Sequence, residues 1–90
     1  MVETERGTVR QSDALIRRAL GHLRRKEWDR AHGIVMGMHD KLAFRIHGLV
    51  HRIEGDMENA HYWYDRAGVP FVKSKSVAAE LKEIESALKT

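Results

Sequence analysis

The stretch Gly55-Asp56-Met57-Glu58-Asn59-Ala60-His61-Tyr62-Trp63-Tyr64-Asp65-Arg66-Ala67 decides the fold. Gly55 reads as the end of one helix and Asp56 as the cap of the next. Ala60 and Ala67 are two helical turns apart, and Tyr64 lies between them on the same face. Small residues at that spacing let a helix backbone approach a partner helix, and an aromatic side chain fills the space beside the contact. The pattern predicts close helix-on-helix packing of the kind that builds helical repeats. It names no reaction.

On the N-terminal side of this stretch, Asp40 is placed to cap a helix carrying Leu42, Ile46, Leu49 and Ile53 on one stripe. Phe44, Gly48 and His51 fall on another face at the helical period, so this helix is expected to be contacted from two sides. Farther back, Ser12 and Asp13 form a capping pair ahead of Leu15, Ile16, Ala19, Leu20 and Leu23, which predicts a helix to about Arg25. A second helix begins near Glu27 or Trp28 and carries Ala31, Ile34, Val35 and Met38. Gly33 and Gly37 each cost it about 1 kcal/mol relative to Ala. Either that helix is weak, or a neighbour needs the missing side chains.

On the C-terminal side, Gly68-Val69-Pro70 is a stop. Ser74 or Ser76 then starts a fifth helix with Val77, Leu81, Ile84 and Leu88 on one side, while Glu80, Lys82, Glu83 and Glu85 are expected to face elsewhere. The expected organisation is a polar tail over 1–11 and one helical domain over 12–90. That domain divides into a first hairpin (12–39), a second hairpin (40–68) and a C-terminal amphipathic helix (74–90). Short connections imply antiparallel neighbours. The fold class is therefore all-α: two antiparallel helical hairpins plus a C-terminal amphipathic helix.

Ninety residues make a single domain with a small core. The chain is 42% hydrophobic and 32% charged, the balance of an ordinary globular protein rather than a disordered one. It has no Cys, which excludes disulfides, thiolate chemistry and cysteine-based zinc sites. The start Met1-Val2-Glu3-Thr4-Glu5-Arg6 has no apolar run behind it, so no secretory leader is expected. The longest stretch without Asp, Glu, Lys or Arg is Ala31 to His39, far short of a membrane span. A cytoplasmic setting with no membrane partner is the expectation. The formal charge of +3 is spread among acids, and the run from Arg17-Arg18 to Arg24-Arg25-Lys26 reads as a solvated helix face. That distribution argues against a nucleic-acid partner.

A weak internal repeat of 29 residues sets Leu20, His22, Ala31 and His32 against Leu49, His51, Ala60 and His61. Within the second unit, residues 41–70, the series Phe44, Gly48, His51, Gly55-Asp56, Ala60, Tyr64 and Ala67 resembles a tetratricopeptide repeat. His47 and His51 depart from that family's aliphatic and Tyr, and the period is shorter than about 34 residues. The first unit matches less well, with Leu15, Ala19, His22, Ala31 and Val35 in those places. The chain is also similar to small uncharacterised proteins that share His51-Arg52-x-Glu54-Gly55-Asp56-x-x-Asn59-Ala60-x-Tyr62-Trp63.

The tetratricopeptide resemblance implies a ligand groove lined by Arg45, Leu49 and Arg52. Two Arg over an aliphatic floor suit an acidic peptide or a carboxylate, and the alternative is that the fifth helix or a second copy covers Leu42 and Leu49. Asn59, Tyr62 and Arg66 extend the expected partner surface, since Trp, Tyr and Arg carry much of the energy of interfaces. Trp63 is expected either on that surface or packed on the fifth helix. His47, His51 and Glu54, at i, i+4 and i+7, form a candidate metal set, against the reading that His51 merely packs between helices. Arg45 and His51 have the Arg-x5-His spacing of some all-helical ribonucleases of the HEPN type, a spacing that ten Arg and six His produce easily by chance. The expected function is a non-enzymatic module that binds a protein or peptide segment and needs no cofactor. Self-association is a further expectation, because two repeats leave apolar faces uncovered. The alternative is a His-rich protein that binds metal or a small ligand.

Overall fold

The computed structural model describes residues 11–89, and the chain over them is all-α. Its helices are α1 (Gln11–Arg24), α2 (Trp28–Val35), α3 (Lys41–Glu54), α4 (Met57–Ala67) and α5 (Val77–Lys89). The expected tail over 1–11 lies outside the described residues except for Gln11, which already belongs to α1. Ser12 and Asp13 therefore lie inside the first turn rather than ahead of it. There Asp13 still complements the positive end of the helix dipole. No helix among the described residues is long and apolar enough to cross a membrane.

Local chemistry sets the helix boundaries. Gly55 and Gly68 end α3 and α4 in the left-handed conformation, with φ of 88° and 75°. Asp56 caps α4 by accepting the Asn59 amide at 3.4 Å, and the Asn59 side chain donates to the same carboxylate at 2.7 Å. Asp40 has the extended backbone of a cap, but its carboxylate accepts no hydrogen bond from the first turn of α3. α2 is shorter than expected, and Met38 lies beyond its end, though still packed on the core. At the start of α5 the Ser76 hydroxyl accepts the Ala79 amide at 3.1 Å, so the helix begins at Val77 and residues 74–76 belong to the turn before it.

The core gathers Ile16, Ala19, Leu20 and Leu23 of α1, Ala31 and Val35 of α2, Ala43, Ile46, Leu49 and Val50 of α3, and Ile84 of α5. α3 packs most extensively on α4, α1 on α2, and α2 on α3, with α5 laid against α3. Seven of the fourteen residues of α3 are buried, and they cover most of its circumference outside the arginine face. It is the helix that the others share. At 100° per residue, Arg45 and Arg52 share one face, His47 and His51 lie about 100–160° around the helix from them, and Phe44 and Gly48 fall between the two sets.

Gly48 is where α3 and α4 come closest. A Cβ built there would stand 2.5 Å from Tyr64 Cδ1, 2.8 Å from Tyr64 Cε1 and 3.2 Å from the Ala60 carbonyl oxygen. The Tyr64 ring, 1% exposed, lies directly over the glycine. Gly33 is the opposite case, with nothing within 4 Å of a built Cβ, so no neighbour requires it and α2 is simply weak. The two glycines should respond with opposite signs. Gly33→Ala should stabilise the chain by about 0.5–1 kcal/mol through helix propensity. Gly48→Ala gains the same propensity but must displace a buried ring, and should lose about 1–3 kcal/mol net. Urea unfolding of both variants checks the pair, and equal shifts would contradict the packing.

Candidate functional site

Three side-chain assemblies surround α3. The first is a carboxylate site on its arginine face. Glu80 of α5 is 1% exposed. Its carboxylate accepts from Arg45 Nη2 at 3.2 Å, from Arg52 Nη1, and from the Tyr64 hydroxyl at 2.7 Å. Arg52 also donates to the carbonyl oxygens of Lys73 (2.9 Å) and Lys75, and Arg45 donates to Glu83, which Lys75 Nζ reaches at 2.8 Å. Burial acts against the Arg45 charge, but the bonds to Glu83 and Glu80 outweigh it and hold the guanidinium above its usual pKa. Burial, reinforced by Glu80, pushes the Tyr64 hydroxyl well above its ordinary value. The phenol stays protonated and donates.

Arg45, Leu49 and Arg52, expected to line an open groove, are therefore covered. Leu49 is fully buried, and both guanidinium groups are engaged by α5 and by the turn that leads into it. Glu80 does not face away from the core: its buried carboxylate is the partner of both arginines. Its spacing carries the signal, three after Val77 and four before Ile84 on the apolar stripe.

The second assembly is a histidine cluster on another face of α3. One ring nitrogen from each of His32, His47 and His51 lies within 4.8 Å of the other two. His32 Nε2 and His47 Nε2 are 3.1 Å apart, their rings edge to face, and the His47 and His51 rings are stacked with centroids 5.0 Å apart. Burial lowers the His47 pKa to about 4, with the neighbouring His32 and His51 acting in the same direction. Glu54 is not a third member of the cluster. It stands behind His51, its Oε1 3.3 Å from a buried Nδ1 that makes no well-angled hydrogen bond. The member missing from the expected set is His32 of α2, which no spacing along α3 could disclose. The Arg45 and His51 of the ribonuclease-like spacing belong to two different assemblies, about 120° apart around α3.

The third assembly is an aromatic platform on the outer side of α3 and α4. Trp63, expected on the partner surface or on α5, makes its ring contacts with α3 and α4. It stacks on His47 with centroids 3.9 Å apart and an interplanar angle of 12°, and lies 5.5 Å from Phe44. The Arg66 guanidinium sits over Phe44 (4.5 Å), Trp63 (5.2 Å) and Tyr62 (5.8 Å), and Tyr62 is 52% exposed. Asn59 is occupied by Asp56, whose carboxyl it holds below the usual range. The six residues expected to form one partner surface thus separate into a covered groove, a helix cap, and an open pair, Tyr62 and Arg66.

The carboxylate site makes a graded prediction. Glu80→Gln leaves two largely buried guanidinium groups without their shared counter-charge and should cost about 3 kcal/mol. Tyr64→Phe removes one hydrogen bond to a charged group and should cost about 1.5–2 kcal/mol. Denaturant unfolding orders them, and a Glu80→Gln chain as stable as the parent would show that α5 is held by its apolar stripe alone. Comparison of the chain with family models, with curated proteins and with solved structures finds no match to any of them.

Proposed function

We propose that the chain is a non-enzymatic interaction module of tetratricopeptide-like build that binds a carboxylate-bearing protein segment at Tyr62, Trp63 and Arg66. The reading takes α1–α2 and α3–α4 as two helical hairpins, with Gly48 and Ala60 at the close approach in the second. The observation that carries it is the state of Arg66. Its guanidinium is stacked over three aromatic rings and makes one long hydrogen bond, to the Tyr62 hydroxyl at 3.4 Å, and no ion pair to it is found among the described residues. Arg24, Arg25, Arg45 and Arg52, by contrast, all meet carboxylates. Stacking holds the Arg66 plane in place while leaving most of its donors open, which favours a planar, bidentate partner such as a carboxylate.

Tyr62 and Trp63 supply rigid apolar area beside that charge, the side-chain mixture that dominates interface energetics. The Arg45–Arg52 groove is not the recognition surface in this reading, because Glu80 already fills it. The net charge of +3 assists an acidic segment.

A displayed random-peptide library selected on the full chain tests the proposal. Selected peptides should be enriched in Asp or Glu next to an apolar residue. Arg66→Gln should weaken their binding about thirtyfold or more, the scale of an interface hot spot. Selected peptides that bind the Arg66→Gln and Tyr62→Ala chains as well as the parent would overturn the assignment. So would self-association abolished by Arg66→Gln, which would give the surface to a second copy.

A further inference from the structure

The histidine cluster lies directly behind the recognition surface proposed above, on the packed side of Trp63, and nothing in that reading uses it. We propose that His32, His47 and His51 form a three-histidine site for a divalent transition-metal ion of the zinc class, bridging α2 to α3. The first support is convergence. Three imidazoles from two helices each place a ring nitrogen within 4.8 Å of the other two. A tetrahedral zinc site with Zn–N bonds of about 2.0–2.1 Å places its nitrogens about 3.3 Å apart. The His32 and His47 Nε2 atoms already stand at 3.1 Å. Rotation of the half-buried His51 ring, closing a gap of about 1.5 Å, completes the set.

The second support is the unsatisfied valence of the cluster. Across 3.1 Å only one of the two facing nitrogens can carry a proton, so at least one lone pair points inward. His51 Nδ1 is buried with no hydrogen bond, although Glu54 Oε1 is 3.3 Å away. A small turn of the ring lets it donate to Glu54 and leaves its other nitrogen as a lone pair, the carboxylate–histidine arrangement usual behind metal-bound imidazoles. An uncharged all-nitrogen set favours zinc, copper or nickel over calcium or magnesium, which take oxygen ligands.

The third support is position. His47 is 6% exposed and stacked beneath Trp63, whereas His32 and His51 are only partly buried. The ion would therefore enter from the His32–His51 side, with solvent supplying a fourth ligand. It would also clip α2, the shortest helix and the one with an unneeded glycine, onto the central helix.

The test is calorimetric titration of Zn2+ into the chelator-stripped, tag-free full chain, with hydrogen exchange of α2 as a second readout. The expected result is one ion per chain with micromolar or tighter affinity, slower exchange of the α2 amides when zinc is present, and affinity reduced at least about tenfold in both His32→Gln and His51→Gln. His39→Gln and His61→Gln, outside the cluster, should bind as the parent does. Absence of binding at micromolar zinc, or binding that survives both cluster substitutions, would overturn the proposal. Should either variant fail to fold, the imidazole nitrogen resonances of the parent decide: His32, His47 and His51 shift together on zinc addition, or the site is not there.

Discussion

The contact of the Tyr64 ring with the bare backbone of Gly48 is the constraint on which the rest of the molecule depends. With any side chain at Gly48 the ring could not lie where it does, because the atoms it presents are already inside contact distance of a Cβ. That placement carries the Tyr64 hydroxyl past α3 to Glu80 on α5. Glu80 in turn meets Arg45 and Arg52, which leave α3 on one face, seven residues apart. A glycine in the second helix pair thus determines where the last helix can dock. The apolar stripe of α5 would accept several registers, whereas a buried carboxylate with three specific donors accepts one.

This arrangement suits a domain of ninety residues. A core this size leaves little surplus stability, so polar links between helices matter beyond their number. A buried ion cluster is a poor source of net stability, since desolvation takes back much of the Coulombic gain. What it supplies is a large penalty for any packing in which Glu80 or an arginine is left unpaired. α3 concentrates these penalties: its arginine face binds α5, its glycine face receives α4, and its histidine face meets α2.

Features governed by local rules are legible in the sequence. Gly55, Asp56 and Gly68 announce the ends of α3 and α4, and the Ala60–Tyr64–Ala67 face is readable because close helix packing demands small residues at that spacing. Asp40 and Ser12 carry the same capping signals, yet Asp40 caps α3 with its backbone alone and Ser12 lies inside α1, since a capping residue type is permissive and the tertiary fold decides whether its side chain turns inward. Glu80 reads as solvated because a glutamate on a helix ordinarily is, and only the positions of Arg45 and Arg52 make its burial favourable. His32 cannot be grouped with His47 and His51 from spacing, because it arrives from another helix. Arg66 and Tyr62 are legible as an i, i+4 pair, but the three rings beneath the guanidinium come from two helices. In each case the missing information is which helices adjoin, not what each helix contains.

Trp63 joins the two assemblies left outside the carboxylate site. Its indole stacks on His47 and lies beneath Arg66. His47 is buried and held by its neighbours, so the indole rests on a side chain with little freedom of its own. Any change in the histidine cluster that rotates the His47 ring must move or tilt the indole, because stacked rings 3.9 Å apart leave no slack between them. The Arg66 plane, which stacking orients, would move with it. An event among three histidines on the inner face of α3 is thereby connected through a single aromatic side chain to the charge that α4 presents outward. The connection is short, passes through rigid groups, and needs no displacement of a helix.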